Sequence, residues 1–179
     1  MEPTQEAQAI MQVSADIRRS DLFFFSLYML PRLKVYWIIW VGAMILYFCV
    51  LLLGDSPKDA LDIAAVALAS VFVATAAVAA SFLLGLAYAL LNANERSGNL
   101  GARVFTLRKD GFHEQTPVNK GLHRWQAISS VLVSKHYLYV GINWPLFHIV
   151  PARACKSRGE FEKFSELARE LSTAGVKSA

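Results

Sequence analysis

The sequence predicts an α+β membrane protein, built as a two-helix transmembrane hairpin followed by a small antiparallel β-sheet that a C-terminal amphipathic helix caps. Three observations predict it. Two long runs carry no charge, the apolar period shortens to an alternation after Gly101, and the C-terminus carries one apolar stripe behind a helix-start signal. With 179 residues, 55% of them hydrophobic, and a mean hydropathy of +0.36, the chain is too apolar for an ordinary soluble domain. It is long enough for one compact domain and a small anchor.

The first run, Val35–Leu53, is free of charge over 19 residues, and the second, Ile63–Leu91, over 29. Roughly 20 apolar residues cross a hydrocarbon core of about 30 Å, so both are predicted to span. The second would reach about 43 Å as a straight helix and must tilt, or continue beyond the bilayer towards "NANERSGN". A signal peptide does not fit the first run, which starts only after 34 polar or mixed residues and is followed by no small-residue cleavage site. Cys49 in the first span and Cys155 near the C-terminus form no C-x-x-C pair, and both are expected to be free thiols.

Charge sets the expected topology. The connector "GDSPKD", with Gly54 and Pro57, holds one Lys against two Asp. Arg18, Arg19, Arg32 and Lys34 precede the first span, and Arg96, Arg103, Arg108 and Lys109 follow the second. The positive-inside rule then puts both termini in the cytoplasm, with Tyr36, Trp37 and Trp40 in the aromatic belt at that interface. The predicted divisions are an N-terminal cytoplasmic segment over 1–34, a hairpin over 35–95 with spans at about 35–53 and 63–91, and a cytoplasmic domain over 101–179.

Ahead of the hairpin, Ser20–Lys34 opens on a cap-like Ser-Asp pair, is rich in aromatics and breaks at Pro31. It reads as an interfacial helix, or as one packed on the C-terminal domain. Residues 1–13 are expected to be disordered or loosely helical. In the second span Ala77, Ser81, Gly85 and Ala89 form a ridge of small residues, predicted to seat the first span near Gly42–Ala43 or to meet a second copy. Neither span holds an ionisable side chain, which argues against a pump or proton-coupled transporter and for an anchor.

In the C-terminal part, "RVFTLR" (Arg103–Arg108) is strand-like, Asp110–Gly111 is a hairpin-turn pair, and "FHEQT" returns. "VNKG" reads as a loop. Trp125 and Ile128 open a third strand through Val133, with a bulge expected near Ser129–Ser130. Tyr137–Ile142 forms a fourth, with Leu138, Val140 and Ile142 on one face; "NWP" turns, and Leu146–Val150 closes the set. Ser157 and Glu160 make a capping box, S-x-x-E, at the head of the last helix. Its stripe is Phe161, Phe164, Leu167, Ala168 and Leu171, and Gly175 is the expected stop. Five short strands in meander order and one amphipathic helix are the plan of a pleckstrin-homology-like half-barrel, whose open end the helix plugs.

A two-span hairpin, then "LRKDGF", Trp125 with Ile128 in "WQAI", "YLYV", "HIVPARA" and the terminal "FEKFSELARE" together resemble the bacterial membrane proteins with a YcxB-like C-terminal domain. The resemblance runs from about Asp16 to the C-terminus. It implies this fold and topology and a place in the bacterial inner membrane; it carries no activity, because its motifs are structural.

No dinucleotide fingerprint, P-loop, metalloprotease helix, nucleophile elbow or metal-type Cys/His spacing is present. The four histidines, His113, His123, His136 and His148, fall on separate strands or turns of the C-terminal part. They read as polar surface positions, although a curved sheet would let some converge, and no metal or cofactor is expected. Cys155 with His148 lacks a third partner for nucleophilic chemistry. Charge is more informative. Residues 96–179 hold 13 Lys and Arg against 6 Asp and Glu, whereas residues 1–95 hold 5 against 8.

The sequence therefore points to a non-enzymatic inner-membrane protein with a regulatory or assembly role. Its basic module would bind a protein partner or anionic lipid headgroups through Arg103, Arg108, Lys109, Arg153, Lys156 and Arg158. The alternative is a structural or transport-accessory hairpin that oligomerises through Ala77, Ser81, Gly85 and Ala89, or pairs with another membrane protein. Nucleic acid is not expected as a partner, since Tyr137 and Tyr139 are the only support for it.

Overall fold

A computed structural model describes residues 9–54, 59–94, 99–143 and 146–177. Pro57 of the connector, Arg96, the Trp144–Pro145 turn and residues 1–8 lie outside the described residues. In chain order the elements are β1 (Met11–Ile17), α1 (Arg19–Met29), α2 (Lys34–Gly54), α3 (Ala60–Asn92), β2 (Gly101–Arg108), β3 (Gly111–Gln115), β4 (Lys120–His123), β5 (Ser130–Val133), β6 (Tyr137–Asn143), β7 (Leu146–Pro151) and α4 (Arg158–Lys177). They form two compact units. One is Leu22–Asn92; the other joins the described residues of Met1–Asp21 to those of Ala93–Ala179.

In the helical unit, α2 and α3 are both long and apolar enough to cross a bilayer, and their bounds lie within three residues of the charge-free runs. Asp59 caps α3, its Oδ1 accepting the N–H groups of Leu61 and Asp62 at 2.9 Å each. The helix breaks where Pro31 forces it to: α1 ends at Met29, Leu30–Arg32 makes a 3-10 turn, and α2 starts afresh at Lys34. Ser70, Thr75 and Ser81 return their hydroxyls to the carbonyls of Val66, Val71 and Ala77, as polar groups among apolar neighbours must.

The packing between α2 and α3 departs from one of the two expectations for the small-residue ridge, that it seats α2. Ala77, Ser81, Gly85 and Ala89 are all exposed, and a Cβ added at Gly85 or Gly42 would meet nothing within 4 Å. The stripe that seats α2 is one register over: Ser70 and Ala74 are buried, Trp40 Nε1 donates to Thr75 Oγ1 at 3.0 Å, and Tyr36 meets Phe82 edge-on at 6.4 Å.

The β unit holds two antiparallel sheets, ordered β1-β2-β3-β4 and β5-β6-β7. β1 is the main departure from the sequence reading, which left residues 1–13 without fixed structure and set 1–34 apart from the C-terminal domain. Met11, Val13, Ala15 and Ile17 alternate with polar residues, the last three are buried, and the strand pairs with β2 from Met11↔Leu107 to Ile17↔Gly101. The two membrane-length helices are thus inserted between the first and second strands of one sheet. Where the chain returns, Gly101 takes φ 98°, a conformation that side-chain-bearing residues rarely adopt.

The hairpin after β2 forms as expected, but for a different reason. Arg108 pairs with Gly111, so Lys109 and Asp110 are the turn residues, and no described residue other than Gly101 has positive φ. Gly111 is needed for space: a Cβ there would lie 2.4 Å from the carbonyl oxygen of His123 on β4. That strand, read as part of a loop, pairs with β3 through Phe112↔His123 and Gln115↔Lys120. Trp125–Ala127 is a 3-10 turn rather than the start of a strand, and its indole donates to the Arg108 carbonyl at 2.9 Å. The irregularity expected near Ser129–Ser130 lies instead on β6, between Gly141 and Asn143 opposite β7.

The core draws on both sheets and α4. Val13, Ile17, Phe105, Leu107 and Phe112 come from the first sheet, and Leu138, Val140 and Val150 from the second. Phe161, Phe164 and Ala168 are fully buried on α4, each Phe contributing about 1.5–3 kcal/mol by leaving water. β6 is covered on both faces, since Tyr137 and Tyr139 are buried as well as Leu138 and Val140. At the helix start, Ser157 Oγ accepts the Glu160 N–H at 3.1 Å as the capping box requires, while the Glu160 carboxylate reaches the N–H of Lys156 rather than that of Ser157. Gly175 is not a stop. The helix runs to Lys177, and Gly175 lets it pass Trp125, whose Cβ would lie 2.4 Å from an added Cβ.

Candidate functional site

Three polar side chains drawn from the two sheets converge. Glu114 comes from β3 and His123 from β4, both in the first sheet, and His148 comes from β7 in the second. Each contributes one donor atom, and these atoms lie within 4.8 Å of one another. His148 Nδ1 is 3.3 Å from Glu114 Oε2, and the two imidazole rings sit 4.8 Å apart, centre to centre. Gly121, opposite Glu114 in the ladder, carries no side chain, and His123 Nε2 comes within 3.5 Å of where its Cβ would stand.

The surroundings are largely apolar. The rings of Phe105 and Phe112 flank His148 at 6.2 and 5.4 Å, and its side chain is 11% exposed. Both ring nitrogens of His148 are shut off from solvent and form no aligned hydrogen bond among the described residues. Leaving a buried polar atom unbonded costs about 1–3 kcal/mol. Arg103 holds the other Glu114 oxygen, Oε1, in an ion pair. Burial by itself would raise the Glu114 carboxyl, but His148 and Arg103 outweigh it and hold it below its ordinary 4.5. Burial, with His148 and then His113 nearby, pushes His123 below its ordinary 6.5. The cluster at neutral pH therefore offers a carboxylate and a neutral imidazole.

Sequence reading set these histidines aside as surface positions. No local motif unites the three residues: their meeting depends on the β3–β4 register and on the approach of the second sheet.

A second constellation closes the mouth from which the chain leaves the β unit. Asp21, in the first turn of α1, is fully buried. Its Oδ1 accepts from Tyr137 Oη at 3.0 Å and Arg153 Nη1 at 2.6 Å, and its Oδ2 from the Arg18 N–H at 2.8 Å and Arg153 Nη2 at 2.5 Å. Arg153 Nη2 also reaches the Asp16 carbonyl at 2.9 Å. The Ser-Asp pair is therefore not a simple cap: α1 starts at Arg19, and Asp21 reaches back to the N–H of Arg18. Desolvation raises the Asp21 carboxyl, but Arg153 and the Arg18 N–H more than offset this and leave it below 3.8.

The six basic positions singled out in the sequence are not one patch. Arg103 is committed to Glu114 and Arg153 to Asp21. Arg158 pairs with Glu162 at 2.7 Å and donates to the Lys135 carbonyl. Arg108 is partly buried, and Lys109 and Lys156 are exposed. Lys109 sits at the end of β2 remote from Gly101, about 25 Å along the strand. Lys156 and Arg158 follow Arg153 directly, at the end where Asp21 and Ile17 lead out of the unit. Burial and then Glu160 push the Cys155 thiol up to about 11, which disfavours its thiolate at neutral pH.

Residues 107–168 match a family model described as YcxB-like protein. The C-terminal part of the chain is thus a YcxB-like domain, with β1 and both long helices outside the matched residues. No curated protein and no solved structure matches.

Proposed function

We propose that this YcxB-like domain is the cytoplasmic reader of a non-enzymatic inner-membrane protein. Helices α2 and α3 span the bilayer, both termini lie in the cytoplasm, and the domain rests on anionic lipid headgroups through Lys156 and Arg158. A four-stranded and a three-stranded sheet closed by a C-terminal helix agree with a pleckstrin-homology-like plan. The single observation that carries the reading is the Arg153–Asp21 pair. It fastens the basic segment 153–158 to the point where the chain departs for the two apolar helices. In this reading the exposed cations of that segment meet the leaflet, where each Lys or Arg contributes about 1 kcal/mol of attraction.

The test uses the full chain in vesicles of neutral lipid and of neutral lipid with added anionic phosphatidylglycerol. Hydrogen exchange over residues 152–160 should slow only in the anionic vesicles, and the slowing should fade as salt is raised. Lys156→Gln with Arg158→Gln should lower the docked population roughly thirtyfold, the equivalent of about 2 kcal/mol. Exchange that ignores lipid charge would overturn headgroup binding and turn the search to an acidic protein partner.

A further inference from the structure

We infer that Glu114, His123 and His148 form a binding site for a divalent transition-metal ion of zinc-like preference, which clips the two sheets together. Two imidazole nitrogens and one carboxylate oxygen are a donor set that zinc and its neighbours favour, and three protein ligands leave a position for water or a partner's side chain. The donors lie on three strands, so the backbone ladders rather than a loop hold them in place.

Donor atoms around a tetrahedral ion with bonds of about 2.0–2.1 Å sit roughly 3.3 Å apart. His148 Nδ1 and Glu114 Oε2 are already at 3.3 Å, and the remaining donor lies within 4.8 Å. A small swing of the His123 ring, on the edge strand β4, brings the set to bonding distance. The buried Nε2 of His148, which forms no hydrogen bond among the described residues, gives the second, independent indication. A histidine kept only for packing would turn a nitrogen to a carbonyl or to solvent, whereas this one faces a carboxylate and another imidazole.

Arg103 has a defined part in the arrangement. By holding Oε1 it orients the carboxylate and leaves Oε2 to the ion, the role that outer partners of metal ligands play. Its charge also opposes the cation, which makes the affinity lower than two histidines and a free glutamate would give.

The experiment takes the full chain in detergent, purified without a polyhistidine tag and stripped with a chelator. It is titrated with Zn²⁺, and with Co²⁺ for its visible absorption on coordination. One ion per chain is expected, with a rise in the unfolding temperature. His148→Ala and Glu114→Gln should each weaken binding at least tenfold. His123→Asn, a change on a half-exposed edge-strand residue that should leave the fold intact, should do the same. His113→Ala, on the opposite face of β3 beside Asp110, should bind like the wild type. Failure to bind one ion, or binding that His123→Asn leaves unchanged, would overturn the site.

Discussion

Asp21→Asn should destabilise the β unit by about 3 kcal/mol, the lower end of the cost of breaking a buried ion pair from one side. The substitution keeps the shape of the side chain but removes its charge. Arg153 is left facing a neutral amide with two donors of its own, and Tyr137 loses a charged acceptor. The lower end applies because the Arg153 side chain is 39% exposed, whereas that of Asp21 is wholly buried. Denaturant unfolding of the full chain in detergent measures the loss. Replacing both partners with apolar residues should cost less than Asp21→Asn alone, because no uncompensated charge remains.

The same carboxylate gives the pH dependence a definite sign. Its native pKa lies below the ordinary 3.8, so the unfolded chain binds the proton more readily. The stability that Asp21 contributes is fully present above pH 3.8 and is lost as pH falls through the lower native value. Asp21→Asn should remove that part of the acid sensitivity, and the wild-type and variant stability curves should converge as pH drops.

Deleting Met1–Ile17 should have a still larger effect, abolishing cooperative unfolding of the C-terminal domain. Val13 and Ile17 are each worth about 1.5–3 kcal/mol of burial, and the ladder from Met11↔Leu107 to Ile17↔Gly101 is lost with them. A domain with a net stability of about 5–15 kcal/mol does not survive that loss comfortably. β2 would also become an unprotected edge, so the truncated chain should aggregate. A fragment beginning at Gly101, the boundary that composition suggests, should fail in the same way. An unchanged unfolding midpoint in the truncated protein would show that β1 is an ornament on a domain complete without it.

Much of the fold was legible because its signals are local. A charge-free run of 19 residues cannot easily be anything but an apolar helix, and Ser157 with Glu160 announces α4 within four residues. The strands at 103–108, 137–142 and 146–150 were visible in the same way, from apolar alternation and flanking turns. β1 was missed although Met11, Val13, Ala15 and Ile17 alternate cleanly, because its partner β2 lies some ninety residues on, across two helices. β4 was missed because Lys120–His123 is short and contains Gly121; its partner register, not its own propensity, makes it a strand. Gly175 was misread because an open C-terminus and a close approach to Trp125 both call for glycine. The Glu114–His123–His148 cluster has no linear signature, since one of its members arrives from the other sheet.

The two membrane-length helices are inserted into one four-stranded sheet, the chain leaving after Ile17 and returning at Gly101. Hydrogen exchange of the full chain in detergent micelles tests this insertion most directly. If β1 belongs to the sheet, the amides of Met11–Ile17 that bond to β2 will exchange as slowly as those of β2 itself, and Asp21→Asn will speed both together. Exchange of Met11–Ile17 at the rate of free chain, with β2 to β7 still protected, would contradict the account.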